Sequence, residues 1–150
     1  MNMHTRVVAL TITGLFFIIF SASMSFAQES YDVVIIGNKS LNTSSISEND
    51  LKLIFTKKIS ELNGHPVTIA LLSKGNIHAE FVKMYLNRSA TQYDRFWKKA
   101  LFSGSPPLPL IVSTEAEMLR YVNYTEGAIG YVGTIDQVKY PDIRVLSVSK

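Results

Sequence analysis

The sequence predicts a single α/β domain whose elements follow the order β-α-β-α-α-β-α-β-β. Three observations carry that prediction. Two continuous apolar runs, Tyr31–Gly37 and Val67–Leu72, are rich in branched residues and too short for helices, which is the pattern of strands covered on both faces. Downstream of each lies a segment whose apolar residues recur at helical spacing. Near the other end, Gly127–Val132 (GAIGYV) reads as a short strand flanked by glycine, the mark of close backbone approach or a bend.

The chain opens with Arg6 ahead of an apolar run that extends to Phe20, followed by Ser25, Phe26 and Ala27. That is the pattern of a secretory signal cut after Ala27, so residues 1–27 are expected to be removed and residues 28–150 to form the working domain. After the first strand, Asn38–Ser45 has polar turn chemistry. Ser47 with Asp50 three residues on resembles a capping box, and Leu51, Ile54 and Phe55 form the stripe of a short helix. Asn63-Gly64 then supplies a tight turn, with His65 in it, and Pro66 leads into the second strand. Asn76 is expected to cap the next helix, with Ile77, Phe81, Met84 and Tyr85 on its inner face.

Ser89 and Gln92 form a second capping pair, followed by Tyr93, Phe96, Trp97, Ala100 and Leu101 at helical spacing, with Asp94, Arg95, Lys98 and Lys99 on the opposite, solvated side. Phe102–Pro109 reads as loop, because Pro106 and Pro107 fit neither a ladder nor a helix interior. Leu110–Val112 is a short strand; Ser113 or Thr114 caps a helix with Met118, Leu119 and Val122 inward. A last strand, Ile143–Val148, closes the sheet.

Composition narrows the function classes. With 15 basic and 12 acidic residues the chain is only slightly basic, and its lysine pairs are short and isolated, so no nucleic-acid partner is expected. The absence of cysteine removes disulfides, thiolate chemistry, cysteine-type metal sites and a lipidated cysteine, which points an exported chain to the periplasm. His65 and His78 have no second ligand at helical spacing, so neither a metal nor a cofactor is expected. No nucleophile elbow or phosphate-cradling lysine loop occurs, and the chain does not read as an enzyme. The informative stretch is the turn Ser73-Lys74-Gly75-Asn76, at the carboxyl end of a strand and the amino end of a helix, where unpaired N–H groups and the helix dipole favour anions. The candidate ligand-binding residues are Ser73, Lys74, Gly75, Asn76 and His78, with Ser44 from the turn after the first strand.

From Val33 to Val132 the chain resembles the substrate-binding proteins of phosphate ABC transporters, which are type 2 periplasmic binding proteins. The matching pieces are Leu51–Ile59 (LKLIFTKKI), Asn63–Val67, the strand-turn-helix Val67–Leu86, Phe102–Pro109 and GAIGYV. The resemblance implies one three-layer lobe of that fold, a periplasmic binding protein-like domain over residues 28–150. It also implies a small oxyanion such as phosphate at the Ser73–His78 turn, and a membrane transporter as partner. Two features depart from the family. Full members close two lobes on the ligand, whereas this chain matches one, so a homodimer or partner protein would supply the second wall. The family's arginine falls on Leu71 or Leu72, its serine on Asn76 and its threonine on His78, which takes away a bidentate guanidinium contact unless Lys74 or His78 compensates. The alternative is a single-lobe interaction or sensory module of the cell envelope, docked on an envelope receptor, that has lost phosphate binding.

Overall fold

In chain order the computed structural model, which describes residues 31–104 and 107–150, runs β1 (Val34–Asn38), β2 (Ser45–Ser47), α1 (Glu48–Phe55), β3 (Glu61–Leu62), β4 (His65–Pro66), β5 (Thr68–Leu72) and α2 (Asn76–Leu86). It continues through α3 (Ala90–Phe102), β6 (Leu110–Val112), α4 (Glu115–Tyr124), β7 (Ala128–Val132), β8 (Ile143–Val145) and β9 (Ser147–Ser149). The signal predicted over residues 1–27 lies outside the described residues, as does part of the predicted loop, residues 105 and 106.

Five strands form the central sheet in the order β6-β5-β7-β1-β8. β5 runs parallel to both β6 and β7, while β1 runs antiparallel to β7 and β8. Because β5 and β7 are buried along nearly their whole length, they read as apolar runs in place of an alternation. The two faces of β7 show how the layers form. Tyr131 points toward α1 and α2, its ring stacked on Phe81 at 3.8 Å between centroids, with Phe55 edge-on to Phe81 at 4.8 Å. These rings are fully buried, worth about 1.5–3 kcal/mol each in apolar transfer. Gly130, one residue back, faces α4, where Met118 and Val122 press so closely that a β-carbon has no room. The sheet is thus sandwiched between α1–α2–α3 and α4, the three-layer lobe that the sequence predicts.

The caps explain the helix starts. Ser47 accepts from Asp50 N at 3.0 Å, Ser89 and Gln92 form a reciprocal capping box, and Thr114, not Ser113, accepts from Glu117 N at 3.1 Å.

Several expectations change. Asn76 does not cap α2: Gly75, at φ 109, holds that position without a side-chain bond, and Asn76 is the first helical residue. Its Nδ2 donates instead to Tyr31 Oη at 2.7 Å. The inner face of α2 is also turned by one residue. His78, Phe81, Val82 and Leu86 are buried, Ile77 and Tyr85 only partly so, and Met84 is exposed. Leu101, expected in the core, is 56% exposed, and the neighbouring Phe102 at the end of α3 is exposed as well. The Asn63-Gly64 turn closes a small hairpin, so His65 and Pro66 are strand residues paired with Leu62 and Glu61. The closing strand is broken at Leu146, whose side chain packs on Gly37, and its last segment pairs in parallel with β2.

Candidate functional site

β6, β5 and β7 are parallel and end at one edge of the sheet, where three connections meet: Ser73–Gly75 after β5, Ser113–Thr114 after β6 and Gly133 after β7. In open α/β sheets this edge is where polar ligands are taken up. Two of the three connections are occupied by the protein itself. Glu117 accepts from Ser113 N at 2.8 Å and Glu115 from Gly133 N at 2.6 Å, so the amides beside α4 face carboxylates of their own first turn. The start of α2 carries no such side chain. Its cap is Gly75, and a β-carbon there would meet no atom of the described residues within 4 Å.

Ser73, Lys74, Gly75 and Asn76 are all exposed and contiguous on this turn, with Ser73 N anchored to Val112 O at 2.8 Å. His78 is placed differently. It is 3% exposed, its Nδ1 lies 2.6 Å from Tyr131 Oη, and that oxygen also accepts from Leu72 N at 3.2 Å. Burial lowers the His78 pKa from its ordinary value, with the Asp94 carboxylate pulling the other way. Burial likewise pushes the Tyr131 phenol up. The imidazole therefore works as a neutral group behind the turn.

Ser44 does not join the others. Val34 pairs with Val132 and Gly37 with Ile129, so β1 starts where β7 ends, and the turn after β1 lies at the opposite edge from Ser73. There Ser44 O accepts from Ser147 N at 2.9 Å and binds β9 to the loop. Asn38, in the same region, donates to Val122 O and Asn123 O and serves the fold.

Beside the turn, a cavity of about 360 Å³ opens between β5, β6 and α3, lined by Leu71, Ser73, His78, Asp94, Trp97 and Ile111 among others. Asp94 and Tyr131, the partners of His78, are not among the candidate site residues that the sequence offers. The signal was present: His78, Phe81, Val82 and Tyr85 stand at i, i+3, i+4 and i+7, which puts the histidine on the apolar face.

No family model matches the chain, and no curated protein matches it. Solved structures do share its fold. An ABC-type phosphate transport receptor from Vibrio cholerae superposes with a TM-score of 0.51 and 15% identity, over 80% of this chain and 47% of that one. A putative phosphate ABC transporter substrate-binding protein with bound phosphate from Clostridium perfringens gives 0.58 and 16%, over 79% and 45%. PstS from Borrelia burgdorferi gives 0.59 and 16%, over 80% and 48%. The chain spans less than half the length of each, so what it shares with them is the fold of one lobe of a periplasmic binding protein.

Proposed function

We propose that the chain is an exported, non-enzymatic solute-binding module of the phosphate-binding type, working at the periplasmic side with a membrane transporter, and that it takes a small oxyanion at the start of α2. The observation that carries this reading is the contrast between two helix starts on one sheet edge: α4 is closed by Thr114, Glu115 and Glu117, while α2 is left open at Gly75. Ser73, Lys74, Gly75 and Asn76 form the binding set, with the backbone N–H groups of Lys74, Gly75 and Asn76 and the Ser73 hydroxyl as donors, since Ser73 N is already bonded to Val112 O, and Lys74 as the countercharge. His78 supports the turn from behind, and Ser44 stands outside the set. A second wall, from another copy or a partner, is needed to exclude water from the anion.

The experiment is a calorimetric titration of residues 28–150 with phosphate, sulfate and acetate. Saturable binding of a tetrahedral oxyanion supports the reading; no heat for any of the three at millimolar anion contradicts it.

A second reading is favoured by two features: leucine at the position where the resemblance has arginine, and the exposed Leu101, Leu108 and Ile111 around the cavity at β6. These suit an interaction module of the cell envelope. A single stoichiometric partner recovered from periplasm with or without phosphate, together with a silent titration, selects it.

A further inference from the structure

The cavity beside β6 contains a donor that the fold leaves unused. Tyr131 Oη accepts from Leu72 N and lies 2.6 Å from His78 Nδ1. Its own proton finds an acceptor if it is donated to Nδ1, which assigns the neutral tautomer with hydrogen on Nε2. The opposite assignment leaves the phenol proton without a partner. Nε2–H is then a buried donor with no hydrogen-bond partner among the described residues, in a side chain only 3% exposed, and Trp97 Nε1, of the same cavity lining, is likewise buried without one. Facing it across 3.8 Å is Asp94 Oδ1, too distant for a direct hydrogen bond. Both residues line the cavity, whose other walls include Leu71, Trp97, Leu101 and Ile111.

A group seated between Nε2–H and the carboxylate must accept from one and donate to the other. A hydroxyl does both; an ammonium cannot accept, and a carboxylate cannot donate and is repelled by Asp94. Asp94 is half exposed, so it can turn about χ1 to admit that group without disturbing the core. The remaining walls are mainly apolar, with Ser73 and Lys98 the polar exceptions, and about 360 Å³ suits a small molecule. We propose that this cavity binds a small, uncharged, apolar molecule bearing one hydroxyl, which His78 and Asp94 hold while Leu71, Trp97 and Ile111 enclose its body. The ligand is neutral and is held by His78 and Asp94, neither of them in the anion-binding set, so the inference does not depend on oxyanion binding at α2.

Trp97 is the single tryptophan of the chain and lines the cavity, so its emission reports occupancy. The probes are cyclohexanol and methylcyclohexane, titrated into residues 28–150 in phosphate-free buffer. Cyclohexanol is expected to shift the emission saturably at millimolar concentration. Asp94→Ala, at a half-exposed position, is expected to lower the preference for cyclohexanol over methylcyclohexane about tenfold, the scale of one hydrogen bond to a charged group. Leu101→Arg, also at an exposed position, is expected to weaken both probes by laying a charged chain across the mouth. A linear, unsaturable response to cyclohexanol overturns the inference. So does a probe preference that Asp94→Ala leaves unchanged, or binding that Leu101→Arg leaves unchanged.

Discussion

Tyr131 Oη lies 2.6 Å from Nδ1 of His78 and 3.2 Å from the backbone nitrogen of Leu72, so one buried hydroxyl ties the end of β5 to the first turn of α2. The turn Ser73–Gly75 is strung between those two anchored points. Its backbone can stay open to solvent because its ends are held from inside the core and not by a capping side chain.

Removing that hydroxyl tests the anchor. Tyr131→Phe keeps the ring stacked on Phe81 but strands Leu72 N–H and alters the environment of His78. The expected loss is about 2–4 kcal/mol in urea denaturation, since buried groups left unpaired cost about 1–3 kcal/mol each. A loss below about 0.5 kcal/mol, the level of an ordinary surface change, contradicts the anchoring role.

Acidification should weaken the fold through His78. Burial lowers its folded pKa from 6.5, so as pH falls the unfolded imidazole takes up its proton first. Stability contributed by the neutral ring is complete above 6.5 and is lost as pH drops from there toward the lower folded value. Denaturation on either side of 6.5 should show a steeper acid loss in the wild type than in His78→Gln. A wild type that gains stability on acidification relative to the variant would mean that Asp94, not burial, governs this histidine.

Gly130→Ala places a methyl group against Met118 and Val122. Overpacking of this kind costs about 1–3 kcal/mol, and combining it with Met118→Ala should cost less than the two single losses added together. Additive losses in a double-mutant cycle would show that the two residues do not press on each other.

The reciprocal box at Ser89 and Gln92 starts the helix that carries Tyr93, Asp94 and Trp97. Ser89→Ala is expected to lower stability by about 1 kcal/mol with Trp97 emission unchanged. A loss near zero would indicate that tertiary packing of Tyr93, whose hydroxyl donates to Phe55 O at 2.6 Å, sets the helix start alone.

Much of the layered fold is legible in the sequence because the relevant forces act locally. Val67–Leu72 and GAIGYV are apolar on both faces, Ser47 and Ser89 cap at fixed spacing, and Pro66 and Asn63-Gly64 punctuate the chain. The misses are places where distant residues decide. The Leu146 break depends on the space that Gly37 leaves, and the pairing of β9 with β2 joins segments about a hundred residues apart. At the candidate site the turn itself is legible, since Ser73–Asn76 follows a strand and opens a helix. The role of His78 is not: helical spacing puts it on the apolar face, but the tyrosine that satisfies its polar nitrogen there lies 53 positions away. Ser44 fails to join the turn for a topological reason: local chemistry gives no sign that β1 runs antiparallel to β7.

The central claim is that the amides opening α2 receive an anion. Nitrogen–proton correlation spectra of residues 28–150, titrated with phosphate, test it most directly. The expected result is a saturable shift of the Gly75, Asn76 and Ile77 amides, with Glu117 at the start of α4 unmoved and the response reduced in Asn76→Pro, which keeps the helix start but removes one donor. Amides at α2 that stay in place throughout the titration, or shifts of equal size at both helix starts, would contradict the account.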